Sequence, residues 1–119
     1  MARLYKTSPE QGSAELLLDG LEVAESIWSR GKGLLGRRDI DFNQGVWLKP
    51  GNNIHTFFMR FKIDCIFLNK KMEIHKIVSE VSPFRLIGPF WKSHSVIEVQ
   101  SGFAQKKKLQ AGDHLYVVS

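Results

Sequence analysis

Five side chains stand where chemistry is usually done: Arg37, His55, Arg60, Asp64 and Glu98. Three of them fall in or beside the run Ile54-His55-Thr56-Phe57-Phe58-Met59-Arg60-Phe61-Lys62-Ile63-Asp64. As a single strand this run places His55, Phe57, Met59 and Phe61 on one face and Thr56, Phe58 and Arg60 on the other. Both faces are rich in apolar side chains, which predicts burial on both sides. A buried ion then needs a partner, because an isolated one is costly to desolvate. Glu98, within Val96-Ile97-Glu98-Val99, makes the same demand. One reading is a polar pocket in which Arg60 holds an anionic group, with His55 beside it and Arg37 nearby, while Asp64 or Glu98 fixes orientation or moves a proton. The other is a structural Arg60–Asp64 or Arg60–Glu98 salt bridge.

Other motifs carry less. Gly31-Lys32-Gly33-Leu34-Leu35-Gly36 has the letters of a dinucleotide loop, but the strand before it and the full helix after it are missing, so the glycines are expected to serve close packing. His55, His75, His94 and His114 lie about twenty residues apart without metal-ligand spacing, and no metal or cofactor is expected. Cys65 alternates with Ile63 and Phe67 and reads as a small buried hydrophobe. Ser93-His94-Ser95 has no nucleophile elbow around it, so no catalytic residue is assigned. Lys106-Lys107-Lys108, taken with Arg85, Phe90, Trp91 and Lys92, offers a basic, aromatic surface that nucleic acid would fit, though a solvated face is the simpler expectation.

The whole chain narrows these options. Its 119 residues, 43% apolar and 24% charged, suit one soluble globular domain. The single cysteine excludes an internal disulfide and fits a cytoplasmic setting. The formal charge of +5 is uneven: residues 1–29 carry −3 and the remaining ninety +8, a field that draws anions without naming one. No strictly apolar run exceeds four residues, so neither a signal peptide nor membrane insertion is expected.

The elements that must position these side chains are mostly short strands. Ala14–Leu18 and Leu21–Ala24 are expected to form a hairpin around Asp19-Gly20. A short or broken helix follows from Ser26 to Gly36. Strands are predicted at Val46–Leu48, Ile54–Phe61, Ile63–Leu68 and Met72–Val81, the last with a bulge near His75-Lys76 where the apolar phase slips. Loops cover 84–91, a strand spans His94–Gln100, one or two helical turns occupy Phe103–Leu109, and His114–Val118 closes the chain. The pattern predicts one mainly β domain over 1–119, a β sandwich or jelly-roll-like barrel with one or two short helices, with 1–13 a flexible or edge segment.

Several stretches together resemble the family known as domain of unknown function 192. They are Gly33-Leu34-Leu35-Gly36-Arg37, Ile54 to Phe61 with Ile63-Asp64 and Phe67-Leu68, Pro83-Phe84-Arg85, Val96-Ile97-Glu98-Val99 with Gly102, and Gly112-Asp113. The resemblance spans about residues 20–118. It implies a compact, mainly β domain with the Gly-Leu-Leu-Gly-Arg segment on a short helix, and it supplies no activity. This chain departs from the pattern at Asn52, where relatives often carry cysteine, at Lys62 in place of proline, at Phe84 in place of tryptophan, and at Ile97 and Val99 in place of leucines.

The function expected is a small non-enzymatic binding module engaging a polar or anionic small ligand around Arg60. An acid–base enzyme using Asp64 or Glu98 is the rival, and a basic surface for nucleic acid or protein the third possibility. Exposed edge strands leave oligomeric state open.

Overall fold

The computed structural model describes residues 1–8, 13–26 and 33–119. Its strands are β1 (Ala2–Ser8), β2 (Ser13–Ala24), β3 (Gln44–Leu48), β4 (Ile54–His55), β5 (Ile63–Leu68), β6 (Ile74–Val81), β7 (Leu86–Ile87), β8 (Ser95–Gln100) and β9 (Leu115–Val118), with one short helix, α1 (Phe103–Lys106), among the described residues. Seven strands form one sheet in the order β6-β5-β8-β3-β2-β1-β9, and β4 with β7 makes a separate pair. Among the described strands only β2 and β3 pair in parallel, so the large sheet is mixed. Its end strands approach each other through an isolated Glu73–His114 bridge, supported by the Ile74 amide donating to Asp113 and the Leu115 amide to Met72.

β5 and β8 are interior strands of the sheet, and their near-continuous apolar sequences follow from burial on both faces. One face carries Ile66, Leu68, Ile97 and Val99 against Leu4, Leu18, Leu21, Leu115 and Phe103. The other carries Val46, Ile63, Cys65, Phe67 and Val96 against Leu34, Ile40, Ile54 and Met59. Gly45 is required where β3 crosses the first face: a Cβ there would lie 2.8 Å from Leu18 Cδ1 and 3.1 Å from the Glu98 carbonyl oxygen.

Three expectations need correcting. Asp19-Gly20 makes no hairpin turn; β2 runs through it, and the β1–β2 register slips between Leu18 and Leu21. The pair is held instead by residues 43 and 44, with Asn43 Nδ2 donating to Asp19 Oδ1 at 2.7 Å, the Gly20 amide to the Asn43 carbonyl at 3.1 Å, and Gly20 paired with Gln44. Residues 2–8 are no free edge either, since β1 is hydrogen-bonded to β2 on one side and β9 on the other. Most consequentially, the run from Ile54 to Phe61 is a strand only at Ile54–His55. The helix expected from Ser26 lies largely outside the described residues, as do the first two residues of the glycine motif; Gly33–Gly36 is a turn. The bulge expected near His75 is present, for Phe67 pairs with Lys76 and Leu68 with Ile74, leaving His75 as the extra residue.

Candidate functional site

The chain leaves β4 because Thr56 takes over its hydrogen bonds. Fully buried, Thr56 donates its amide to the Arg85 carbonyl and its hydroxyl to the Ser82 carbonyl at 2.7 Å, while the hydroxyl accepts the Arg85 amide at 2.9 Å. Its carbonyl accepts from Phe84 at 2.9 Å and from Met59 at 3.2 Å, the second bond closing a turn over residues 56–59. One threonine thus ties the 56–59 turn to residues 82–85. Met59 anchors the turn in the core, and the pairing of Ile54 with Ile87 and His55 with Leu86 extends the same junction.

This arrangement turns aromatic side chains outward. Phe58 has φ 66° and Phe84 φ 63°, left-handed conformations that disfavour a bulky L residue and that a turn normally fills with glycine or asparagine. Phe58 is 75% exposed and Phe84 62%, and their rings meet edge to face at 5.5 Å. Phe57 lies 6.4 Å from Phe84 and stacks with His55 at 5.4 Å. Leu86, paired with His55, is 63% exposed. Residues 53–62 and 82–92 carry Arg60, Lys62, Arg85 and Lys92 and no carboxylate.

The predicted side chains are distributed differently from either sequence reading. Arg60 is exposed on a bend rather than buried in a strand, and among the described residues it forms no ion pair. His55 is exposed beside the rings. Arg37 is engaged elsewhere, its Nη2 donating to Glu22 Oε2 at 2.6 Å. Asp64 is fully buried and needs no cation: Oδ1 accepts the Glu80 amide at 2.8 Å and Oδ2 the Ala104 amide at 3.0 Å. It thereby holds the second irregularity of β6, where Glu80 has φ 52°, to the start of α1. No salt bridge joins Arg60 to Asp64 or Glu98, because the arginine stands in solvent while both acids lie inside.

Glu98 pairs with Cys65 on one side and Val46 on the other, so it projects from the sheet face opposite to Asp64. Only 4% exposed, its carboxyl is pushed up to about 7 by burial. Burial likewise pushes the Cys65 thiol well up, with the nearby negative charges of Glu98 and then Asp64 adding to it. Such a thiol is no nucleophile at neutral pH.

The other motifs are dispersed. Among the described residues no three of His, Cys, Asp and Glu converge as metal ligands would. Lys106 and Lys107 lie over the Phe42 ring, at 5.3 and 5.5 Å from its centre. A cleft of about 350 Å³ is lined by Pro50, Gly51, Asn52, Asn53, Ser93 and His94, and it includes none of the five predicted side chains. Thr56, Phe58 and Phe84 are not among the site residues to which the sequence pattern points. The excess of phenylalanine around Arg60 was the available signal, but which rings face water depends on the contacts Thr56 makes 26 to 29 residues away.

Fold and site together define a small, mainly β domain with one carboxylate satisfied by backbone amides, a second buried in the core, and an aromatic and cationic rim. The chain belongs to the DUF192 family, a family of uncharacterized proteins whose model matches residues 10–117. Two solved structures are similar. One is a protein of unknown function from Novosphingobium aromaticivorans, 17% identical, with TM-score 0.82 over 96% of this chain and 83% of that one. The other, from Sinorhizobium meliloti, bears the name "putative transcription regulator"; it is 18% identical, with TM-score 0.82 over 98% of this chain and 94% of that one. At such identities the likeness concerns the fold alone. No curated protein matches.

Proposed function

We propose that the protein is a small binding module that engages an anionic or polar small ligand through the rim around Arg60. The observation that carries this reading is an exposed guanidinium without a carboxylate partner among the described residues, next to phenylalanines held outward on unfavourable backbone. Strain of that kind persists where surrounding structure enforces it, and it clusters at binding sites. Arg60 would supply forked donors to a carboxylate or phosphate, and the rings an apolar wall. Arg85 and Lys62 add positive field, while Asp64 and Glu98 hold the scaffold.

Acid–base catalysis would fall to Glu98, since both oxygens of Asp64 are occupied. A substrate would have to displace core side chains to reach it, so binding is the preferred reading. Nucleic-acid binding draws support from the basic body of the chain, and the name of the Sinorhizobium protein belongs to that protein. We read the curl of the large sheet as that of an incomplete barrel, and the setting as cytoplasmic, in keeping with a buried, unpaired Cys65.

A thermal-shift series tests the proposal. Glycerol phosphate and small carboxylates should raise the melting temperature of the parent and leave Arg60→Ala unmoved. Equal responses of the two proteins would overturn it.

A further inference from the structure

Building on the Arg60 reading, we infer that the anion recognised by this rim is the headgroup layer of an anionic membrane, with Phe58, Phe84 and Leu86 entering the bilayer interface beside it. A dissolved small anion engages the guanidinium and leaves much of the exposed apolar surface in water. Here Phe57, Phe58 and Phe84 are linked by ring contacts, and Leu86 adjoins through its pairing with His55. Two of these side chains are kept in water at a conformational cost that asparagine or glycine would avoid. The Thr56 bonds fix the rim in advance, so little order is lost on docking.

Charge selects the occupant. The two stretches carry four cations and no carboxylate, which matches a negative lipid surface and repels the same face of a second copy. Ring geometry separates a membrane from single-stranded nucleic acid. Successive bases stack on roughly parallel ring faces, but Phe58 stands at 70° to Phe84, and Leu86, 63% exposed, has no face to offer. An interface of headgroups and acyl chains accepts aromatic and aliphatic groups alike. Docking is peripheral: among the described residues no helix is long and apolar enough to cross a membrane.

The test is co-sedimentation with vesicles of phosphatidylcholine alone and with about one-third phosphatidylglycerol. Anionic vesicles should bind on the order of a hundred-fold tighter, and high salt should remove most of that gain. The double variant Phe58→Asn/Phe84→Asn should weaken vesicle binding about ten-fold or more while remaining folded in chemical denaturation, and Arg60→Ala should reduce the preference for anionic lipid. A parallel arm measures the thermal shift with glycerol phosphate. A shift that depends on Arg60 without vesicle binding keeps the small-anion reading and overturns the membrane inference. Silence in both arms overturns both. Tighter binding to an oligothymidylate than to vesicles, or equal binding to neutral and anionic vesicles, overturns the inference as well.

Discussion

Glu98 and Cys65 face each other across the β5–β8 ladder, a carboxyl beside a thiol on two interior strands of the sheet. Neither has an ion-pair or disulfide partner among the described residues. The unfolded chain releases the Glu98 proton near 4.5 and the folded chain near 7, so folding takes up a proton between those values. Stability is therefore greatest at the acid end of this window, declines as the pH rises through it, and levels off above about 7. The decline attributable to Glu98 is on the order of 3 kcal/mol. Glu98→Gln should flatten this part of the profile and be more stable than the parent at pH 8. An unchanged slope in urea titrations of the variant would show that another group is responsible.

Thr56→Val keeps the shape of the junction and removes its hydroxyl, leaving the Ser82 carbonyl and the Arg85 amide without that partner. The expected loss is about 1–3 kcal/mol, read from the shift in urea midpoint. Thr56→Ser, which restores the hydroxyl, should recover most of it.

Asp64→Asn replaces one of two acceptor oxygens with a donor, which must then face the Glu80 or Ala104 amide. About 2–3 kcal/mol should be lost, with α1 and the end of β6 becoming less protected in hydrogen exchange. A variant as stable as the parent would show that these two amides find other acceptors.

Replacing Phe58 alone by asparagine should leave stability within about 1 kcal/mol of the parent or raise it, because asparagine tolerates positive φ. A larger loss in chemical denaturation would mean that the exposed ring contributes packing.

What was legible in the sequence followed from local pattern. β5 and β8 show as apolar runs broken only by Asp64 and Glu98, and the slipped phase at His75 announces the bulge. What was not legible depended on distant partners. Asp19-Gly20 suits a hairpin until Asn43 and Gln44 claim it. Residues 56–61 have the composition of a buried strand, yet composition alone does not separate rings packed inward from rings displayed in water. Arg60 stands out by residue type, yet the carboxylates the pattern offers it, Asp64 and Glu98, lie inside while it stands in solvent. Asp64 satisfies itself on main-chain amides, a choice of acceptor that residue type does not reveal.

The doubly irregular β6 has a bearing on how this molecule behaves in a crowded solution. It terminates the large sheet in the strand order, where an even ribbon would invite a neighbouring polypeptide to add itself by backbone pairing. The extra residue at His75, the left-handed Glu80 and the exposed Lys76 interrupt that template twice within eight residues. Smoothing the strand would cost the protein its safeguard against fibrous association, even if every core contact survived.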